Sequence, residues 1–380
     1  MHTLCGVDNC EHVRKYLSGL RVAVITNHTG LDSSHTPTFC SLMEQGVEVV
    51  RLFAPEHGVW GDIEDLAEVS DTREPLTNLP VLSLFGSTLE PSSEHLKDID
   101  ALVFDIQDIG SRYYTFNWTM ALAMAAASKA RCKFVVLDRP NPITGVHVEG
   151  NVLDPAFGSF VGLHPVAVRY AMTSGEMAQF VNAEFALGAD LTVVPCTNWQ
   201  RRMWFDETGL DFVPPSPNAP SLEMATLYPG TCLFEGTNLS EGRGTTRPFE
   251  VVGAPWIDPF AFASELSSAG LKGVWFRPVY FTPYTSKHSG VRCGGVQVHI
   301  SDRNLLNAFD VGLYMLYLAK KQSGFMWKND PKSYAIDLLA GTDTLRLGID
   351  EGLTPDELRH LWQHDLDNFK AKRLRYLIYE

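Results

Sequence analysis

The sequence lacks most of the short signatures by which a chain announces its chemistry. No G-x-G-x-x-G follows the first strand-like run, where the text reads TNHTGLD, and there is no P-loop and no G-x-S-x-G elbow. Nucleotide cofactors and serine hydrolysis therefore fall in rank. No H-E-x-x-H or comparable ligand spacing occurs, and none of the seven cysteines forms a C-x-x-C pair, so neither a metal nor any other cofactor is expected. Positive charge is short: 31 Lys and Arg stand against 45 Asp and Glu, for a net charge of −14. That balance argues against nucleic-acid and acidic-membrane partners, which need a basic face. A small anion remains compatible, because a few local arginines outweigh distant charge beyond a Debye length of roughly 8 Å. No apolar run approaches the roughly 20 residues of a membrane span. The odd, scattered cysteines do not suit a full disulfide framework and fit a reducing compartment. The early stretch EHVRKYLSGL has no apolar leader core, so the expected location is the cytoplasm, or outside it if a leader has been removed.

What is present is an ordinary globular composition, 45% hydrophobic and 20% charged over 380 residues. A single core stops growing near ~250–300 residues, so two domains are expected, spanning residues 1–215 and 216–380. The first half alternates apolar runs (RVAVIT, VEVVRLFA, LPVLSLFG, ALVFDIQD, KFVVLD) with helix-like stretches at Thr36–Gln45 and Thr119–Lys129. Continuous apolar strands between helices predict an α/β fold with a doubly wound parallel sheet. A further strand at Asp190–Val194 precedes a crossing rich in proline and aromatics, WQRRMWFDETGLDFVPPSPNAPSLE. Beyond it the order becomes mixed: a helix near Asp258–Ala269, strands VWFRPVYF and VQVHI, then helices, which reads as a smaller α+β domain.

Ligands of open parallel sheets bind beyond the carboxyl ends of the strands, so the loops TNHTG, PEHG, FGSTLEPS, DIQDIGSRYY and DRPNPITG should line one rim. Glu56 and His57 end the second run beside apolar Phe53 and Trp60, where desolvation would raise a carboxyl pKa toward neutrality and suit it to general acid work. A helix cap or an ion pair with Arg51 or Arg73 is the structural alternative. Asp105 and Asp108 fall on opposite faces if the strand runs through both, so one of them points into the rim. Arg112, Tyr113 and Tyr114 follow with a cation and rings suited to a carboxylate or a sugar, or else to a helix cap and ion pair. Asp138, Arg139 and Asn141 sit between prolines that fix the backbone, for a ligand or simply for a turn. In FEGTNLSEGRGTTRPFE, Glu235, Asn238, Glu241, Arg243 and Arg247 crowd among glycines, and either arginine could grip a carboxylate. The alternative there is a structural hairpin with surface ion pairs. Lys287 and His288 in YTSKHSG could reach the same cleft.

The blocks TNHTG, APEHGVWGD, VFDIQDIGSRYYT, VLDRPNPITG, VPPSPNAPSLE, YPGTCLFEGTNLSEGRGTTRPFE and SKHSGVRCGGVQVHI occur in this order from about Leu20 onward. They resemble the bacterial exo-β-N-acetylmuramidase family, long catalogued as a domain of unknown function. The resemblance implies a Rossmann-like catalytic domain joined to a smaller C-terminal one, with the site in the cleft between them. It implies release of N-acetylmuramic acid from the non-reducing end of peptidoglycan fragments, with an amino-sugar or muropeptide as the small-molecule partner. The glutamate of its P-E-H-G motif, here Glu56, is the implied catalytic carboxylate. The first loop departs from it, carrying His28 beside Asn27 where a glutamine is more usual.

Glycoside hydrolysis ordinarily uses two carboxyl groups, about 5–5.5 Å apart for retention or about 6.5–9.5 Å for inversion. For the second, Glu241 and Asp105 rank ahead of Asp62 and Glu235. The substrate's own 2-acetamido group is a third route, and the sequence leaves the choice open. Substrate contacts are expected from Asn27, His28, His57, Arg112, Tyr114, Arg139, Asn141, Asn238, Arg243, Arg247 and His288, with Arg243, Arg247 or Arg112 on the lactyl carboxylate. Two rivals stand beside this reading: a non-catalytic sugar clamp stacking Tyr113, Tyr114 and Trp118 on a ring, and a metal-dependent hydrolase. The oligomeric state is left open.

Overall fold

The computed structural model describes residues 2–63, 71–330 and 333–380. Its centre is a seven-stranded sheet built from β1 (Arg21–Thr26), β2 (Glu48–Ala54), β3 (Thr72–Arg73), β4 (Pro80–Ser83), β5 (Ala101–Asp105), β6 (Lys133–Leu137) and β9 (Leu191–Val194). The order is β3-β4-β2-β1-β5-β6-β9, with only the two-residue edge strand β3 antiparallel. The apolar runs have no polar alternation because both faces are covered. Val22, Val24, Leu52, Ala101, Val103 and Val135 face one core with Val13, Leu17, Phe39 and Leu42 of the helices Cys10–Leu17 and Thr38–Glu44. Ala23, Ile25, Phe53, Leu102, Phe104 and Phe134 face the other, under Met120 and Met124 of helix Phe116–Ala130 and Phe180 of helix Ser174–Glu184. Strand period two sends neighbours to opposite cores, and both are apolar.

Strands lie outward on either side of the β1/β5 pair, where the winding direction reverses and parallel sheets leave a crevice. Between β6 and β9 the chain forms a short antiparallel pair, β7 (Glu149–Val152) and β8 (Ala167–Arg169), closed by the buried ion pair of Glu149 with Arg169. After the crossing, β10 (Val251–Ala254), β11 (Val274–Phe281) and β12 (Cys293–Ile300) make an antiparallel sheet in the order β10-β12-β11. Its inner residues Val252, Val296 and Val298 belong to the same continuous core as Phe104 and Phe134 of the large sheet. Helices Leu222–Thr231 and Ala308–Lys320 cross tightly at Gly230 and Gly312. A Cβ on Gly230 would lie 1.9 Å from the Ala308 carbonyl oxygen, so only glycine permits the approach.

Two polar links bind late residues to early ones. The Tyr379 hydroxyl donates to Asp138 at the end of β6 (2.5 Å) and accepts from the Cys196 N–H after β9 (2.9 Å). Arg112 is wholly buried, and its guanidinium donates to the carbonyls of Asn151 (3.0 Å), Val166 (2.9 Å), Leu339 (3.0 Å) and Ala340 (2.7 Å). Burial lowers its pKa to about 10, yet it remains a cation at neutral pH.

Replacing Arg112 by methionine leaves four buried carbonyls without their donor, at about 1–3 kcal/mol each before relaxation. The expected loss of unfolding free energy is ~4 kcal/mol, read from urea denaturation. A loss below ~1 kcal/mol would show that the carbonyls find other partners.

Candidate active site

The loop after β2 is shaped by two consecutive left-handed residues, His57 (φ 72°) and Gly58 (φ 78°). The Gly58 N–H donates to the Pro55 carbonyl (3.0 Å), the His57 Nδ1–H to the Ile63 carbonyl (2.8 Å), and the Ile63 N–H back to the His57 carbonyl (3.3 Å). A bulky residue in the left-handed region is strained, and the ring's bond to its own loop holds it there. His57 is buried and shapes the turn. That turn presents the half-buried Glu56, whose carboxylate accepts from the Thr115 hydroxyl at 2.8 Å. Thr115 is the residue that begins helix Phe116–Ala130, but its side chain makes no cap bond and serves Glu56 instead.

The loop after β5 supplies Asp108 and Tyr114. Asp108 Oδ2 accepts from the Gly110 N–H (2.6 Å) and from the Tyr170 hydroxyl, which itself accepts from Asn117 (2.8 Å). Burial pushes the Asp108 carboxyl up to about 6, against the pull of these donors. Its other oxygen, Oδ1, is buried with no hydrogen-bond partner. The Tyr114 hydroxyl faces Ser216 without a well-formed hydrogen bond and feels the charges of both Asp108 and Glu56. At the end of β1, Asn27 Oδ1 accepts from the Thr29 hydroxyl (2.6 Å), while its Nδ2 is buried and unpartnered.

From the other side come the residues of FEGTNLSEGRG. Arg243 donates to Glu235 (2.7 Å), lies 3.5 Å from Glu241, and is drawn by the charge of Glu56. Burial lowers its pKa to about 10. Gly244 (φ 75°) lets this hairpin touch the Thr285 backbone, where a Cβ would lie 2.6 Å from both N and O. Lys287 donates to Glu241 (2.8 Å) and to the carbonyls of Phe234 (2.7 Å) and Leu239 (2.9 Å). The Glu235 side chain keeps 30% of its exposure and so remains reachable. Burial, Glu241 and Glu56 push its carboxyl up to about 8, while Lys287 and Lys328 pull it down. Glu56, Thr115, Asp108, Tyr114, Glu235 and Arg243 thus form one electrostatic neighbourhood drawn from both halves of the chain.

Several residues expected at the site belong to the fold. Asp105 is fully buried, gripped by Arg139 through Nε and Nη2 (2.9 Å) and by the Thr38 hydroxyl, which leaves neither it nor Arg139 facing Glu56. Glu241, 1% exposed, is held by Lys287 and Arg243. Arg112 spends its guanidinium on carbonyls, as described, and cannot reach a lactyl group. Arg247 is 55% exposed, paired to Glu250 (3.1 Å) and near His299 of β12. Asn141 donates to the Met172 carbonyl (2.8 Å). Asn238 donates to the Gly324 carbonyl (2.8 Å), accepts from the Met326 N–H (2.9 Å), and offers its own carbonyl to His288 (2.6 Å). His28 donates to the Pro214 carbonyl (2.7 Å), tying the first loop to the crossing, and burial lowers its pKa. Tyr113 and Trp118 are core residues, bonded to the carbonyls of Pro229 (3.2 Å) and Arg112 (2.7 Å), so the three-ring clamp does not form. Thr115 escaped the sequence reading because a threonine before an apolar run reads as a helix cap.

Among the described residues no three His, Cys, Asp or Glu side chains come together as metal ligands. A cavity of about 410 Å³ lies at the same edge of the sheet, lined by Cys5, Asp8, Thr29, Gln107 and Arg139, but neither Glu56 nor Arg243 borders it.

The chain matches family models described as the N-terminal and C-terminal parts of exo-beta-N-acetylmuramidase NamZ, over residues 22–223 and 226–379. It is 44% identical to the peptidoglycan beta-N-acetylmuramidase NamZ of Bacillus subtilis (strain 168), over 98% of this chain and 91% of that protein. Two crystal structures of DUF1343 family proteins from Bacteroides fragilis NCTC 9343 are similar throughout. One has a TM-score of 0.93 at 35% identity and the other 0.81 at 32%, each covering 100% of this chain and 99% of the other.

The raised Glu235 carboxyl has a consequence for stability. The folded state holds this proton more tightly than the unfolded chain, so the contribution is complete below the ordinary value of 4.5 and is lost as pH rises toward about 8. Asp108 and Asp138, both pushed to about 6, lose theirs earlier. Between about pH 5 and 8 the melting temperature of the wild type should therefore fall more steeply than that of Glu235→Gln. Parallel melting curves across that range would contradict the assignment.

Proposed function

The chain belongs to the exo-beta-N-acetylmuramidase NamZ family, and on that premise we propose that it is a glycoside hydrolase of peptidoglycan fragments in which Glu56 is the acid/base carboxyl. The bond cut is the one joining a non-reducing terminal N-acetylmuramic acid to the following N-acetylglucosamine. The observation that carries the reading is the convergence at Glu56: a strained turn at the exit of β2 presents it, Thr115 fixes one oxygen, and Arg243 from the distant hairpin feels its charge.

Each part has a chemical task in this reading. Glu56 delivers a proton to the departing glycosidic oxygen and later takes one from the attacking water. The Thr115 hydroxyl fixes the carboxyl rotamer, so that the proton is offered in one direction. Arg243 supplies the positive charge that a lactyl carboxylate requires, and its neighbours Glu235 and Glu241 hold the guanidinium in place. Arg247 has no part in this, because its largely exposed side chain is paired to the buried Glu250. A net negative protein thereby keeps a local cation for an anionic sugar, which a Debye length of roughly 8 Å permits.

Two measurements test the reading. With the disaccharide of N-acetylmuramic acid and N-acetylglucosamine, whose departing sugar oxygen needs the proton, Glu56→Gln should lower kcat/KM by ~1000-fold while leaving the melting temperature nearly unchanged. Activity within about tenfold of wild type would remove Glu56 from the acid role. With paired N-acetylmuramic acid and N-acetylglucosamine glycosides, Arg243→Ala should erase a preference of ~10–100-fold for the lactyl sugar, and Arg247→Ala should retain it. Equal behaviour of the two variants would refute the arginine assignment.

A further inference from the structure

An acid at Glu56 needs a nucleophile or a base opposite it, and the described carboxylates do not offer one freely. Asp105 and Glu241 are locked in ion pairs, and Asp62 is exposed on the loop beyond His57. Glu235, pushed up to about 8, is mostly protonated at neutral pH and then serves poorly as a base or nucleophile. On the loop that carries Thr115, by contrast, two buried atoms of complementary character lack a well-formed hydrogen bond. Asp108 Oδ1 is an acceptor whose partner oxygen is already fixed by Gly110 and Tyr170. The Tyr114 hydroxyl is a donor. Both residues are at least nine-tenths buried, and the tyrosine hydroxyl lies within the fields of Asp108 and Glu56 together. Leaving such groups unpaired is unfavourable, and a ligand carrying one N–H and one carbonyl would relieve both at a single stroke.

We propose that Asp108 and Tyr114 are the cradle for the 2-acetamido group of the substrate, and that this group is the nucleophile of the reaction. The inference rests on the glycosidase reading above and deepens it. Asp108 Oδ1 accepts the acetamide N–H, and the Tyr114 hydroxyl donates to the acetamide oxygen, turning that oxygen toward the anomeric carbon. In the first step the acetamide oxygen forms a bond to the anomeric carbon as the glycosidic bond breaks. The departing oxygen takes the proton of Glu56, and the positive charge left on the oxazolinium ring faces Asp108. In the second step water adds to the anomeric carbon and gives a proton back to Glu56. The ring bond breaks, the acetamide is restored, and the product keeps the configuration of the substrate. The rise of the Asp108 carboxyl toward neutrality fits a group whose anionic form awaits a cation.

The test compares the 4-nitrophenyl β-glycoside of N-acetylmuramic acid with its N-trifluoroacetyl counterpart, whose amide oxygen is a far weaker nucleophile. Wild type should cleave the acetyl compound at least ~100-fold faster and release product of retained configuration by NMR. Asp108→Asn should lose ~100-fold on the acetyl compound and show a smaller ratio between the two substrates. Tyr114→Phe should lose ~10-fold with the same narrowing, and it carries the test if the aspartate variant does not fold. Turnover of both compounds at equal rates, inverted product, or variants with an undiminished ratio would overturn this inference while leaving the glycosidase reading intact. An undiminished ratio would mean that the two orphan atoms hold only an internal water. Failure of the wild type to cleave either compound would overturn both.

Discussion

The buried pair of Asp105 and Arg139 is the constraint on which the functional edge of the large sheet depends. Asp105 closes β5 and Arg139 follows β6, and the pair also takes in Thr38 from the helix before β2 and the Leu31 carbonyl from the loop after β1. One ion pair therefore fixes the exits of neighbouring parallel strands relative to one another. Desolvating two charges is expensive, and the cost is met here by additional hydrogen bonds at both ends. Those exits carry Asn27 and Asp108, and the next exit along the sheet carries Glu56. A loop edge that shifted by even one ångström would displace the polar atoms of all three exits together.

Much of this was legible in the chain. The apolar runs gave the strands of the large sheet, and their lack of alternation predicted helices on both faces, as Val22 and Ala23 show by entering different cores. The rim loops were likewise legible, because parallel strands send all their carboxyl ends to one edge. What the chain could not disclose was the direction of side chains. Asp105 and Asp108 were expected to face apart, but only coordinates reveal that Asp105 meets Arg139 while Asp108 keeps a bare oxygen. Arg112 looked like an anion grip because arginines in loops often are, whereas it is a buried donor to four carbonyls. Local sequence says nothing of residues such as Leu339 and Ala340 more than two hundred positions away.

The second half shows the same division. Its glycine-rich hairpin was recognisable as a place where chemistry gathers, and Arg243 and Glu235 are there. The two arginines of that segment, four positions apart, were indistinguishable by composition. The glycines at 242 and 244 are left-handed; the first arginine meets the carboxylates, and the second, largely exposed, pairs with the buried Glu250. Lys287 anchors the hairpin from another loop entirely, holding Glu241 and two backbone carbonyls at once.

The bond between Tyr379 and Asp138 spans 241 positions of the chain. During synthesis the ribosome must deliver more than two hundred further residues before β6 and its following loop gain this partner, so this edge of the sheet cannot mature on the nascent chain ahead of the later helices. A product terminated before Tyr379 would leave Asp138 without this anchor, and the loop after β6 would sit on an unfinished scaffold.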